Sequence, residues 1–374
     1  MSGPRSGAMQ RGKKVRILGL MVMLHLFVFV VLEVLWGGGR EKRRQPKVVV
    51  PSGRFWRAFV PSAAYWNREQ QKLDLLHNPI LKAENVSAID WFNATTGRGS
   101  CEPDVGVRAQ PRACEKKPFL LLAIKSLAPH FDRRQAIRQT WGRAGRLANR
   151  TVATVFLLGD AARSDHFPDL RDLLRRESSA HRDLLIWDYR DTFFNLTVKE
   201  VLFLDWLERR CRDASFVFKG DDDVFVNTRR VLDFLEGLSP ARAESLFVGD
   251  VITNAGPHRD RKVKYFVPES VFVGQYPPYA GGGGYLYSGE LALRLRSVSP
   301  EVPLYPIDDV YTGMCLRKLG LAPERHKGFR TFGIQEKYRD NACVYHSLML
   351  VHRRTPQQII EIWSWISNPT LKCK

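Results

Sequence analysis

Acidic side chains are scarce in this sequence: 39 Asp and Glu stand against 58 Lys and Arg, a formal net charge of +19 over 374 residues. Several local patterns are missing altogether. None of the six cysteines is spaced Cys-x-x-Cys, which argues against a zinc site. No Gly-x4-Gly-Lys-Ser/Thr loop is present, so a P-loop nucleotidase is excluded, and the Asp-x-Asp-x-Asp-Gly register of an EF-hand is absent. There is no internal repeat of the length that builds a solenoid. Hydrophobic residues at 44% and charged residues at 26% exclude a disordered or collagen-like chain. The basic balance invites a nucleic-acid reading, but no such motif occurs and +8 of the charge lies in the first 50 residues, on either side of an apolar run. No nucleic-acid partner is expected.

That run, Ile17 to Trp36, is twenty residues long with one His and one Glu. As a helix it spans about 30 Å, the thickness of a bilayer's hydrocarbon core. A cleaved signal has a shorter apolar region followed by small residues. The run therefore reads as an uncleaved signal anchor. Basic residues flank both ends, so charge alone does not orient it. Four Asn-x-Ser/Thr sequons (Asn85, Asn93, Asn149 and Asn195) and all six cysteines follow the span, which puts the body in the secretory lumen, where disulfides form. The pairing of the cysteines is left open. The expected organisation is a cytoplasmic tail over 1–16, the span over 17–36, a Gly- and Pro-containing stem over 37–54, an aromatic-rich segment over 55–114 packed on the main domain, and a catalytic domain over 115–374.

From residue 118 onward, short apolar runs alternate with charged amphipathic stretches. Runs at 118–124, 151–159, 183–189 and 215–219 read as strands, and 131–142, 166–179 and 197–210 as helices. This predicts an α/β fold with a mostly parallel sheet and helices on both faces, ligands binding where strands end. One strand ends at Asp221-Asp222-Asp223, between apolar flanks. Three adjacent carboxylates repel one another, and a divalent cation removes that cost. Mg²⁺ or Mn²⁺ suits an all-oxygen site of this kind and bridges readily to phosphate. Arg134 and Arg138, four apart on a predicted helix, suit a diphosphate. Residues 276–288 carry four glycines between Tyr276, Tyr279, Tyr285 and Tyr287, a combination of close backbone approach and stacking faces that suits a sugar. Asp308-Asp309 opens a further predicted helix, whose dipole favours ionised carboxylates and so a general base.

The segments RRQAIRQTWG (133–142), FLLG (156–159), DTFFNLTVKE (191–200), FKGDDDVFVN (218–227), YPPYAGGGGY (276–285) and IDDVYTG (307–313), in this order, resemble the β-1,3-glycosyltransferases that transfer galactose or N-acetylglucosamine. The resemblance covers residues 55–373. Three further segments, 62–73, 250–260 and 326–332, resemble the members that extend poly-N-acetyllactosamine. The resemblance implies a GT-A fold, a single-pass type II Golgi membrane protein, Mn²⁺ or Mg²⁺ as cofactor, and inverting transfer from UDP-GlcNAc. UDP-Gal as donor, or a membrane-anchored lectin or scaffold without catalysis, are the alternatives. It implies Asp223 and Asp221 as metal ligands, with His352 either a third ligand or an ordinary histidine. It implies Asp309 as base, Arg134, Arg138, Lys219, Asp222, Gly282 and Gly283 on the donor, and Tyr279 and Asp308 toward the acceptor. Expected partners are the donor, the glycan acceptor, the Golgi membrane, and copies of itself or other glycosyltransferases in oligomers.

Overall fold

The computed structural model describes residues 106–160, 169–191, 193–260, 265–267 and 272–373. The expected tail, span and stem, nearly all of the 55–114 segment, the sequons at Asn85 and Asn93, and Cys101 lie outside the described residues. Among the described residues no helix is long and apolar enough to cross a membrane.

The elements run β1 (Val107–Ala109), β2 (Leu120–Lys125), α1 (Phe131–Gln139), β3 (Gly145–Leu147), β4 (Arg150–Asp160), α2 (Arg171–His181), β5 (Leu184–Arg190), α3 (Leu196–Arg210), β6 (Phe216–Asp221) and β7 (Val224–Val226). They continue with α4 (Thr228–Glu236), α5 (Pro240–Glu244), β8 (Phe247–Ile252), β9 (Tyr279–Ser288), α6 (Gly289–Val298), α7 (Asp308–Lys318), β10 (Glu324–Arg325), β11 (Phe329–Arg330), α8 (Ala342–Ser347), β12 (Leu350–His352) and α9 (Pro356–Ile366). The main sheet has the order β1-β5-β4-β2-β6-β9-β8-β10, with β3 added as a hairpin on β4. β7, β12 and β11 form a second, three-stranded sheet.

The β2–β6 half follows the predicted alternation of strand and helix. β2 pairs in parallel with β4 and β6, and β4 with β5. The strand period of two sends Leu120, Leu122 and Ile124 to the core under α1, α4 and α9, and Leu121 and Ala123 to the core under α3, α6 and α7. Continuous apolar runs are what a strand covered on both faces requires.

The expectation of a mostly parallel sheet needs correcting. β9 runs antiparallel between β6 and β8, so the fold is a mixed α/β sheet flanked by helices. Residues 279–288, expected to be a ligand-contacting stretch, form this interior strand. Tyr276, Tyr285 and Tyr287 are buried in the core rather than offered to a sugar: Tyr285 and Tyr287 stack on Phe247, and the hydroxyls of Tyr276 and Tyr305 meet at 2.8 Å.

Two disulfides, Cys114–Cys211 and Cys343–Cys373, tie the approach to β2 onto the end of α3 and the α8 helix onto the C-terminal tail. Cys315 lies inside α7 as a buried free thiol, its pKa pushed up to about 12 by burial. Of the two described sequons, Asn149 is exposed in the two-residue β3–β4 turn, where it takes a positive φ that suits asparagine. Asn195 is 4% exposed at the start of α3, a far more enclosed setting than that of Asn149.

Candidate active site at the ends of β2 and β6

The face of β2 that carries Leu121 and Ala123 ends in Lys125, and the matching face of β6 carries Val217, Lys219 and Asp221. Lys125 and Asp221 are register partners across the two strands. Lys125 Nζ donates to Asp308 Oδ2 at 2.8 Å and lies 3.1 Å from Asp221 Oδ1. Burial works to lower its pKa, but the charges of Asp221, Asp308 and Asp309 prevail and hold it well above the usual lysine range.

The three consecutive aspartates turn between β6 and β7 and point to three different neighbourhoods. Asp221 stays on the Lys125 side; burial raises its pKa, Lys125 opposing and the charges of Asp223 and Asp308 adding to it. Asp222 is turned into the protein toward the start of α1. It accepts from Ser126 Oγ at 2.7 Å and from Arg133 at 2.8 Å, and meets His130 Nδ1 at 2.8 Å. Burial works to raise the pKa of Asp222, but these partners hold it below the usual range. It fastens α1 to the turn and leaves no oxygen for a donor, contrary to expectation. Asp223 faces the second sheet, where Arg353 Nε donates to Oδ2 at 2.9 Å and His352 Nε2 lies 3.5 Å from Oδ1.

One ligand atom from each of Asp221, Asp223 and His352 lies within 4.8 Å of the other two. His352 Nδ1 is 2.7 Å from the carbonyl oxygen of Thr331, which fixes the proton on Nδ1 and leaves the Nε2 lone pair facing the carboxylates. Two hard carboxylate oxygens and one oriented imidazole nitrogen make a set fit for a divalent cation.

Asp309 sits one residue into α7, with Oδ1 sealed from solvent and without a hydrogen-bond partner. Burial first, then the charge of Asp308, push its pKa up to about 8, against the pull of Lys125. Its carboxylate rests on the backbone of β9: a Cβ on Gly282 would stand 2.6 Å from Oδ2. A Cβ on Gly283 would stand 3.2 Å from His352 Cβ. The glycines thus clear room for the carboxylate and the imidazole. Gly282→Ala is expected to leave the fold intact, because the side chain it strikes can rotate, and to cut turnover on the order of 10²-fold by displacing the carboxylate. Unchanged turnover with a native melting temperature would show that the packing of Asp309 on β9 is immaterial.

Other expectations fail on geometry. Arg134 is fully buried, with Nε and Nη2 on Glu177 at 2.8 and 2.7 Å and its remaining donors on Ser126, Leu127 and Ala128. Arg138 is taken by Asp183 and Glu177. Both arginines pin α1 to α2 and β5, and neither is free for a diphosphate. Lys219 is 0% exposed and pairs with Glu200 of α3, so it is not free for a donor. Asp308 is 3% exposed and committed to Lys125, so it does not face an acceptor. Tyr279, half-buried at the start of β9, has its pKa raised by burial and by the charge of Asp309, and of the four tyrosines it alone keeps partial exposure.

The galactosyltransferase family profile matches residues 132–327, spanning α1, the acidic turn, β9 and α7. This chain belongs to the galactosyltransferase family. It is 52% identical to mouse N-acetyllactosaminide β-1,3-N-acetylglucosaminyltransferase 2 and 51% identical to the human protein of that name, in each case over 96% of this chain and 99% of the relative. Human N-acetyllactosaminide β-1,3-N-acetylglucosaminyltransferase 4 is 48% identical over 71% of this chain and 69% of its own length. In this galactosyltransferase-family chain, four charged or titratable residues of the site escaped the sequence reading: Lys125, His130, Arg133 and Arg353. Lys125 closes an apolar strand with nothing beside it to mark it. His130 and Arg133 adjoin the arginines that were chosen, and only the fold shows which of them turn toward Asp222.

Proposed function

We propose that this protein transfers N-acetylglucosamine from UDP-GlcNAc, in β1,3 linkage and with inversion, to the terminal galactose of N-acetyllactosamine-type glycans. The observation that carries the reading is the partly exposed carboxylate of Asp309, with Oδ1 sealed and without a hydrogen-bond partner, held near a carboxylate–imidazole triad where strands of the main sheet end. The named relatives support the donor and the linkage. The fold is read as GT-A, and the protein as a single-pass type II enzyme of the Golgi membrane.

Asp221, Asp223 and His352 would hold Mn²⁺ or Mg²⁺, which would supply positive charge to offset that of the leaving diphosphate. Lys125 holds Asp308 below the usual carboxylate range and keeps Asp221 in place through their ion pair. Asp308, saturated by Lys125, raises the basicity of its neighbour by repulsion. Asp309 takes the proton from the acceptor's 3-hydroxyl as that oxygen attacks, and its raised pKa brings it close to the working pH. Tyr279, beside Asp309, lines the acceptor side.

The test is a screen of the full-length protein with UDP-GlcNAc and UDP-Gal against galactose-terminated acceptors, with linkage analysis of the product. The expected result is a β1,3-linked GlcNAc product, abolished by chelator and restored by Mn²⁺ or Mg²⁺. Transfer from UDP-Gal alone would overturn the donor, and full activity in chelator would overturn the metal.

A further inference from the structure

Asp223 is already engaged by a cation, and that cation comes from the chain itself. Arg353 Nε donates to Asp223 Oδ2 at 2.9 Å, on the carboxylate whose other oxygen faces His352. The Arg353 side chain is 76% exposed, so water screens the pair and little holds the guanidinium in place. The backbone beneath it is anchored: the N–H of Arg354 donates to the carbonyl of Asp223 at 2.7 Å. Arg354 itself is buried and locked on the Tyr345 hydroxyl, with Nη2 at 2.8 Å. Of two adjacent arginines, one is fixed and the other is free to swing from a fixed Cα.

A divalent cation bound through Asp223 Oδ1 would draw charge from the carboxylate and repel the guanidinium on Oδ2, weakening its hold there. A nucleoside diphosphate brings more negative charge into the same space, and the arginines first expected to meet it, Arg134 and Arg138, are buried in ion pairs with Glu177 and Asp183. Arg133 touches Asp223 Oδ2 at 3.6 Å but is held by Asp222 at 2.8 Å. We propose that Arg353 is a place-holding cation, seated on Asp223 until metal arrives and then turned onto the diphosphate of the donor. The proposal rests on the reading of Asp221, Asp223 and His352 as the metal site.

The two halves of this role have opposite signs in a binding experiment. Free Mn²⁺ is followed by electron paramagnetic resonance in titrations of the full-length protein without UDP, and UDP affinity is measured at saturating Mn²⁺. Without UDP, Arg353→Ala is expected to bind Mn²⁺ about 3–5-fold more tightly, because a weak competing pair is gone. At saturating Mn²⁺ it is expected to bind UDP about 10-fold more weakly, because a charge-assisted contact is lost. Arg353→Lys, which keeps the charge and loses the fork, is expected to fall between on both counts. Both affinities falling together, or neither moving, overturns the proposal. Asp221→Asn separates the premises. If Mn²⁺ binding is lost in Asp221→Asn but untouched in Arg353→Ala, only the place-holding role fails. If the wild-type protein takes up no Mn²⁺ with or without UDP, the metal reading fails and this role with it.

Discussion

Asp309→Asn is expected to lower turnover 10²-fold or more while leaving UDP affinity intact and raising the melting temperature by about 2–4 °C. The two effects share one cause. Burial and the neighbouring charge of Asp308 make it costly to ionise Asp309, so its pKa stands near 8 in the folded protein, far above that of an unfolded carboxylate. The folded state therefore binds the proton more tightly than the unfolded chain. Its contribution to stability is full below the ordinary carboxylate range and is lost as pH rises toward about 8. Asn removes the proton acceptor and the ionisation penalty together. Initial rates, UDP binding and thermal melts on the same preparation check this. The acceptor kcat/KM of the wild type should rise with pH through the same window, as the base form fills. An unstable Asp309→Asn with normal turnover would show that the carboxylate is a structural group and that the base lies elsewhere.

Lys125→Met is expected to cost about 3–5 kcal/mol of stability, because it strips the counter-charge from three buried or half-buried carboxylates at once. Lys125 is 6% exposed, so water cannot replace it. The raised pKa of Lys125 means that its contribution is fully present below the unfolded lysine value and is lost only as pH climbs through the higher folded one, so neutral pH lies inside the protected window. Adding Asp308→Leu should recover part of the loss, since the orphaned carboxylate is removed with its partner. Urea titrations of the single and double variants decide the matter. A single variant as stable as the wild type would mean that the Lys125 cluster carries no net energy.

The parallel half of the fold was legible because strands buried on both faces need unbroken apolar runs, and β2, β4, β5 and β6 have them. β9 was not legible as a strand. Four glycines erase its alternation, and the reason for them, the room taken by Asp309 and His352, lies 27 and 69 residues further along the chain. The acidic turn was readable as chemistry from its apolar flanks, and Asp309 from its place at a helix start. The basic residues of α1 misled for a definite reason: the carboxylates that neutralise Arg134 and Arg138 belong to α2 and the start of β5, and helix spacing alone does not reveal partners 43 and 45 residues away. Lys219 and Glu200, both inside family-like motifs, are joined as a core ion pair, so residues within such a motif serve the scaffold as well as the chemistry.

The Asp221–Asp223–His352 triad draws two members from the end of β6 and the turn after it, and the third from β12, which pairs with β7 across some 125 residues of chain. During synthesis the aspartates leave the ribosome long before their imidazole, and contacts so distant in sequence form late. A nascent chain lacking its last 25 residues has every carboxylate of the site but neither His352 nor the strand that aims it. A cation held by all three groups would therefore need chain beyond residue 349. Chains arrested at residue 349 should show no Mn²⁺-dependent UDP binding, whereas full-length chains should acquire it together with the Cys343–Cys373 bridge, which closes over the same C-terminal stretch. Metal-dependent UDP binding by the arrested chain would show that the acidic turn suffices alone.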